Sequence, residues 1–71
     1  MLDNREVLTL SYLAIGYKQR ELPDVLNCSI QTVKNVIRDI KNKTGSNTPE
    51  QAVFLCHKII YERLNESNLI V

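Results

Sequence analysis

Residues 29–45 read SIQTVKNVIRDIKNKTG, and they decide the fold because their side chains separate onto two sides of a helix. At 3.6 residues per turn, one side is apolar, with Val36 beside it, and consists of Ile30, Val33, Ile37 and Ile40. The opposite side, called the polar face below, consists of Gln31, Lys34, Asn35, Arg38, Lys41 and Asn42. This pattern predicts a helix over residues 30–44 with one buried and one exposed side.

Residues at both ends of this helix indicate where it begins and ends. Ser29 is a suitable N-cap, because its hydroxyl can accept a hydrogen bond from a backbone N–H of the first turn. Gly45 is suited to the left-handed conformation in which helices commonly end.

The chemistry of the polar face indicates nucleic acid. A solvated helix surface usually mixes Glu with Lys, whereas this face holds only side chains that can donate hydrogen bonds, and Asp39 lies off it. Amide and guanidinium groups read base edges, and Lys neutralises phosphates. An ordinary solvated surface remains the alternative interpretation of the helix taken alone.

The preceding segment, residues 16–27, reads GYKQRELPDVLN and has room for one short helix over about residues 18–26. Two short helices joined by a tight connection, the second amphipathic and basic, are typical of a helix-turn-helix. Pro23 leaves two possibilities for the first of them. Either the proline bends a helix that begins near Lys18, or the helix begins at Leu22 or Pro23, where proline is well tolerated.

Residues 2–53 resemble the LuxR/GerE-type DNA-binding domain without a gap. The matching residues are Leu2, Arg5, Glu6, Leu10, Ala14, Gly16, Glu21, Leu26, Ser29, Thr32, Val33, Lys34, Ile40, Lys43, Gly45, Ala52 and Val53. The departures from the family pattern are Pro23, Val36, Thr44, Val7 and Leu8. The resemblance implies an all-α, four-helix domain with a central helix-turn-helix, which regulates transcription by binding double-stranded DNA. We expect no receiver or sensor domain beside it.

The remaining helices are expected over about residues 4–15 and 49–63, followed by a tail over 64–71. Asp3 is a plausible N-cap for the first helix, Gly16 ends it, and Leu10, Leu13 and Ala14 form its core face. For the last helix, Thr48 caps, Pro49 takes the first position, and Gln51 completes a capping box.

Candidate DNA contacts follow from the polar face and from the helix-turn-helix pattern. We expect Lys34, Asn35 and Arg38 to reach base edges. Phosphate contacts are expected from Lys18, Thr32, Lys41 and Lys43, and the remaining candidates are Ser29 and Gln31.

Two apolar surfaces are candidates for protein contacts. By resemblance, the last helix pairs two copies of the chain, and the expected homodimer interface is Ala52, Cys56, Ile59, Ile60 and Arg63. Alternatively this face only covers the domain's own core. Val7 and Leu8 form either a patch for a regulatory protein partner or a surface buried by the tail. The apolar residues 69–71 are expected to pack onto the body.

Composition agrees with one small domain spanning residues 1–71. The chain is 44% hydrophobic with a net charge of +1, and residues 17–47 hold six Lys or Arg against three Asp or Glu. The positive charge therefore concentrates where the helix-turn-helix is expected. No leader pattern and no apolar run of about 18 residues appears, so we expect a soluble, cytoplasmic protein without a membrane segment.

Catalysis finds little support in the sequence. His57 adjoins Cys56, but neighbours on a helix point about 100° apart and do not form a nucleophile and base pair. Together with Cys28 they lack the spacing of a zinc site, and no Gly-rich phosphate loop exists. We expect no enzyme, metal, cofactor or small-molecule ligand. Two functions stay open: a dimeric transcription regulator, and an adaptor that titrates a related DNA-binding protein.

Overall fold

The computed structural model describes residues 2–67, which form five α-helices and one turn of 3-10 helix. The helices are α1 (Asn4–Ala14), α2 (Leu22–Leu26), α3 (Ile30–Thr44), α4 (Pro49–Leu55) and α5 (His57–Ser67), and the 3-10 turn is Gln19–Glu21. The described residues contain no strand, so the all-α prediction is confirmed. The count of four helices is wrong, because the helix predicted over residues 49–63 is divided into α4 and α5.

The start of α1 is fixed by a reciprocal pair of hydrogen bonds. Asp3 Oδ1 accepts from the backbone N–H of Glu6, and Glu6 Oε1 accepts from that of Asp3, each at 2.8 Å. At the other end the helix stops one residue earlier than expected, with Ile15 as C-cap. Gly16 follows with φ of 111°, a value that L side chains rarely adopt.

The buried side of α1 differs from the predicted one. Leu10 is buried and Leu13 is half-buried, as expected, but Ala14 is exposed. Val7 is buried in its place, because α5 packs along α1 and covers it. The buried residues of α1 therefore lie nearer to its N-terminus than predicted.

The helix-turn-helix consists of α2, α3 and the three residues between them. Proline decides where α2 begins: Pro23 lies in its first turn, where no intrahelical partner for its backbone nitrogen is needed. The second of the two possibilities is therefore confirmed, and residues 19–21 form the 3-10 turn instead. Asn27 closes α2 in the left-handed conformation, with φ of 55°. The chain then enters α3 at Ser29.

Helix α3 has the predicted bounds. Ser29 Oγ accepts from the backbone N–H of Thr32 at 3.1 Å, and Gly45 has a left-handed φ of 70°. Its buried residues are Val33, Ile37 and Ile40. Ile30 was expected on this side but is 42% exposed, because it occupies the first turn, beyond the reach of the helices that cover the rest.

The predicted helix over 49–63 is interrupted at Cys56. Thr48 Oγ1 caps α4 as expected, but Gln51 Oε1 accepts from the backbone N–H of Asn47 rather than from that of Thr48. At the interruption, His57 Nδ1 contacts the carbonyl oxygen of Phe54 at 2.9 Å. Helix α5 then begins at His57 and ends at Ser67, which is beyond the predicted end at residue 63.

The core has two parts. One lies between α1, α3, α4 and α5, and its buried residues are Leu10, Ile40, Ala52, Cys56, Ile60 and Leu64. The other lies between α2 and α3 and consists of Leu22, Val33 and Ile37. Leu13 packs against both parts and so connects the helix-turn-helix to the rest of the molecule.

Two sequence-based expectations concern the ends and the membrane. The expected packing of residues 69–71 lies outside the described residues. Within residues 2–67, none of the helices combines the length and apolar character that crossing a bilayer requires.

Candidate nucleic-acid interface

The polar face of α3 remains accessible because the opposite side anchors the helix in the core. Val33 is fully buried, and Ile37 and Ile40 are nearly so. On the polar face, Asn35 and Lys41 are half-buried, and the exposed side chains are Gln31, Lys34, Arg38 and Asn42. The helix thus presents amide, ammonium and guanidinium groups together along one accessible side.

The N-terminal end of α3 also suits a negatively charged ligand. Ser29 Oγ lies 3.0 Å from Thr32 Oγ1, so two hydroxyl groups meet at the exposed start of the helix. No acidic residue lies in the first turn. The partial positive charge of the backbone N–H groups there is therefore not compensated by a carboxylate of that turn.

Two amide side chains of the polar face are bonded to each other. Gln31 Nε2 donates to Asn35 Oδ1 at 3.1 Å, across one turn of the helix. Such a pair at i and i+4 restricts the rotation of both amides. The side chains of Gln31 and Asn35 are therefore positioned relative to each other.

Arg38 is accessible despite a neighbouring acid. Its guanidinium Nη2 lies 3.6 Å from Asp39 Oδ1, and both side chains are more than half exposed. A contact between exposed charges contributes little free energy, so it does not prevent Arg38 from turning to another partner.

Lys43 is positioned differently from the other candidate phosphate contacts. Its Nζ donates to Glu6 Oε1 at 2.9 Å, and the Glu6 side chain is almost fully buried. This hydrogen bond and charge raise the pKa of Lys43 above its ordinary value. Because the ammonium is already paired with a carboxylate, we remove Lys43 from the expected phosphate contacts.

The remaining candidate, Lys18, lies at the start of the helix-turn-helix. Its backbone N–H donates to Glu21 Oε1 at 2.7 Å, which fixes the entry to the 3-10 turn. Its own side chain is exposed. Lys18 therefore stays available for a phosphate.

One exposed residue near the polar face was missed from the sequence. Ile30 lies in the first turn of α3, one turn before Lys34, and helical periodicity alone assigned it to the core. The signal that could have found it is its position directly after the N-cap, since α2 is too short to cover that turn. An apolar side chain at such a place can contact a thymine methyl group.

The expected dimer interface is largely inside the molecule. Ala52, Cys56 and Ile60 belong to the core, with Ile60 only 3% exposed, so these three are not available to a second copy. Both α4 and α5 pack against α1, and the three residues are buried among these helices. Ile59 remains exposed and Arg63 half-exposed.

Helices α4 and α5 expose four large apolar residues, of which only Ile59 was expected at an interface from the sequence. They are Phe54, Leu55, Ile59 and Tyr61, and Phe54 is 73% exposed. Ile59 and Tyr61 are two positions apart in α5 and therefore project to different sides of that helix. The four residues together are called the α4–α5 apolar surface below.

The proposed partner patch on α1 is also changed. Val7 is buried and borders a small cavity with Ile59 and Arg63 of α5, while Leu8 is half-buried. Burial by the tail was one of the two alternatives expected for Val7 and Leu8, and residues 64–67 of the tail continue α5. Val7 is therefore buried in the domain and is not exposed to a partner.

The two thiols lie in different parts of the core. Burial raises the pKa of the Cys56 thiol, which makes it a weaker nucleophile. Cys28 lies in the turn before α3, in the other part of the core. Among residues 2–67, no three His, Cys, Asp or Glu side chains form a cluster suited to a metal ion.

An all-α domain with a short helix-turn-helix and an accessible, basic second helix defines a class of DNA-binding proteins. Residues 1–56 match the GerE model, described as bacterial regulatory proteins of the luxR family. This chain belongs to that family, whose domains are DNA-binding transcription regulators. Comparisons with curated proteins and with solved structures found no match. Helix α5 lies beyond the matched residues.

Proposed function

We propose that this regulator binds duplex DNA sequence-specifically, with α3 in the major groove. The observation that carries this proposal is the accessible polar face, which offers hydrogen-bond donors over three turns while the opposite side of α3 is locked into the core. The major groove admits an α-helix, and its base edges form a code that such donors and acceptors can distinguish.

The side chains divide into two roles by position and chemistry. Lys34, Asn35 and Arg38 are assigned to base edges, because Lys34 and Asn35 project from the N-terminal half of α3 and Arg38 follows Lys34 by one turn. Lys18, Thr32 and Lys41 are assigned to phosphates, which fixes the register of the helix on the duplex. Ser29 supports this arrangement by capping α3.

We also propose that two copies pair on DNA through the α4–α5 apolar surface. Four large apolar side chains are exposed there, whereas a small monomer gains stability by burying such groups. Arg63 borders this surface beside Ile59. A two-fold dimer would require a binding site with half-sites about 10 base pairs apart, or a multiple of that distance.

Selection of binding sites from random duplex DNA tests sequence specificity directly. The selected site should be a two-fold repeat, and log affinity should fall with log salt at a slope near −5, since about 0.9 counterions are released per phosphate and about three phosphates are engaged per subunit. Undetectable binding to any duplex at about 50 mM salt would contradict the proposal.

Alanine substitution of the base-reading residues tests their assignment. The combined change Lys34→Ala, Asn35→Ala and Arg38→Ala should abolish selection of one site over random DNA. Lys58→Ala on α5 is the matched control, because it removes one exposed positive charge away from α3. An unchanged affinity of the triple variant for the selected duplex would show that α3 does not read the bases.

Sedimentation of an α5 variant tests the dimer. Ile59→Glu places a charge in the α4–α5 apolar surface and should give a folded monomer with weak DNA binding. Asn65→Glu adds the same charge at another exposed position of α5 and should behave like the wild type. A wild-type chain that is monomeric at high micromolar concentration, and on DNA, would remove this part of the proposal.

A second candidate function rests on the same α4–α5 apolar surface. If that surface binds a related DNA-binding protein, the chain acts as an adaptor that titrates its partner. Apolar burial is not screened by ions, so such a complex should persist at high salt, where duplex binding is lost. Phe54→Ser should then weaken the protein complex while leaving affinity for duplex DNA unchanged.

A further inference from the structure

The hydrogen bond between Gln31 and Asn35 assigns a chemical role to each end of the two amides. Gln31 is exposed and Asn35 is half-buried, and the 3.1 Å bond runs from Gln31 Nε2 to Asn35 Oδ1. An unpaired amide can rotate to exchange its donor and acceptor. In this pair, rotation of one amide alone by 180° would break the bond, so the two amides can exchange donor and acceptor only together, and either way one donor and one acceptor stay outside the bond.

The pairing determines which groups remain for a ligand. Asn35 Oδ1 is occupied by Gln31, which leaves the Asn35 Nδ2 donor and the Gln31 Oε1 acceptor. Within residues 2–67, neither of these two atoms is engaged by the bond between the two side chains. The polar face therefore offers a donor and an acceptor side by side, one turn from the start of α3.

The four bases respond differently to this arrangement in the major groove. Adenine presents an acceptor at N7 and a donor at N6, which complements Asn35 Nδ2 and Gln31 Oε1 together. Guanine presents acceptors at N7 and O6. Its O6 would face Gln31 Oε1, which is also an acceptor, and no hydrogen bond could form between them. Thymine offers only an acceptor and a methyl group, and cytosine offers only a donor.

We propose that Gln31 and Asn35 form one two-residue reader that selects adenine at a single position of each half-site. This inference rests on the proposed binding of duplex DNA by α3 and adds the identity of one base. Gln31 is thereby a specificity-determining residue and not only a helix-stabilising neighbour of Asn35.

An isosteric substitution tests the reader. In Asn35→Asp, one carboxylate oxygen still accepts from Gln31 Nε2, while the other replaces the donor with an acceptor. Two acceptors then face the base, which suits the N4 donor of cytosine. Sites selected by the wild type should carry adenine at one position, preferred about 5- to 100-fold, and sites selected by Asn35→Asp should carry cytosine there.

A double-mutant cycle tests whether the two amides act together. If they do, Gln31→Ala and Asn35→Ala should each reduce the preference for adenine, and the double variant should reduce it no further. Lys41→Ala is the control and should weaken all sequences equally, with the base preference retained. Additive losses would show that Gln31 and Asn35 read independently, which would overturn the inference.

The outcomes separate this inference from the function on which it rests. Failure of the wild type to bind any duplex would refute the proposed function itself. If the wild type selects a site, but no position in it changes from adenine to cytosine in Asn35→Asp, duplex recognition by α3 stands and the reader is refuted. Circular dichroism of each variant should match the wild type, because both substituted side chains lie on the exposed side of α3.

Discussion

At the scale of single residues, Glu6 links two parts of the chain that are far apart in sequence. Its Oε1 atom accepts from the backbone N–H of Asp3 at 2.8 Å and from Lys43 Nζ at 2.9 Å. The first bond begins α1, and the second ties α1 to the last turn of α3. Removing one partner of such a pair is costly, because the buried carboxylate would remain uncompensated.

This pairing predicts different effects for two lysines of α3. Lys41→Ala should reduce the salt slope of DNA binding by about 1 per subunit, because it removes one of the proposed phosphate contacts. Lys43→Ala should leave the slope unchanged but lower the midpoint of urea unfolding. Titration of affinity against salt and unfolding of each variant measure both effects. A reduced slope for Lys43→Ala would restore this residue to the phosphate contacts.

The same pair predicts a dependence of stability on pH. The hydrogen bond and charge of Glu6 raise the pKa of Lys43 above its ordinary value of 10.5. A raised pKa in the folded state means that the pair stabilises the fold below pH 10.5 and loses this contribution as the pH rises through the raised pKa. Lys43→Met should therefore be less stable than the wild type at pH 8, with a difference that shrinks above pH 11. A difference that stays constant would contradict the ionic contribution.

At the scale of elements, the connection between α2 and α3 depends on one left-handed residue. Asn27 has φ of 55°, and the next backbone N–H, that of Cys28, donates to the carbonyl oxygen of Pro23 at 3.0 Å. Together they end α2 after five residues. Asn tolerates this conformation better than most L residues, and Gly adopts it without steric cost.

Substitution at this position should therefore follow backbone preference. Asn27→Ala should destabilise the fold by about 1 kcal/mol, because alanine lacks the short polar side chain through which asparagine tolerates the left-handed conformation. Asn27→Gly is the matched comparison and should be close to the wild type in stability. Urea unfolding followed by circular dichroism measures both. Equal stability of the Ala and Gly variants would show that the turn relaxes out of the left-handed region.

At the scale of the whole molecule, α5 completes the core from outside the family-matched residues. Ile60 and Leu64 are nearly fully buried and pack into the same part of the core as Leu10 and Ile40. Burial of each such side chain contributes about 1.5–3 kcal/mol. A chain of this length is expected to have a total stability of roughly 4–11 kcal/mol, so α5 contributes a large share.

Two adjacent residues of α5 should therefore respond oppositely to the same change. Ile60→Glu should unfold the protein, because a buried unpaired charge costs about 4 kcal/mol or more. Ile59→Glu should keep the fold, because its side chain is 44% exposed. Thermal unfolding of the two variants distinguishes them. A folded Ile60→Glu chain would mean that α5 does not pack onto α1 as described.

Truncation tests the same element without introducing a charge. A chain that ends after Cys56 retains the family-matched residues but lacks α5. It should lose cooperative unfolding and bind 8-anilinonaphthalene sulfonate, because Leu10 and Ile40 become accessible to water. If the shortened chain unfolds cooperatively with an unchanged midpoint, α5 is not part of the core.

The sequence alone determined what depends on local chemistry and periodicity. The two-sided pattern of residues 29–45, capped by Ser29 and ended by Gly45, is sufficient to define α3, since each signal acts within a few residues. The family resemblance and the all-α class followed from the same stretch and its neighbours. The polar face was predicted correctly as well, because a helix with one strongly apolar side must expose the other.

The tertiary structure decided which residues are buried and which charges pair, because both depend on how the helices cover one another. The break at Cys56 carries no Gly or Pro signal, and beyond it α5 packs onto α1 with Ile60 buried, while Phe54 before it is exposed. The pairing of Lys43 with Glu6 joins residues 37 positions apart, and the sequence does not contain that proximity. The physical reason is that helix formation depends on neighbours along the chain, whereas burial and ion pairing depend on how whole helices pack together.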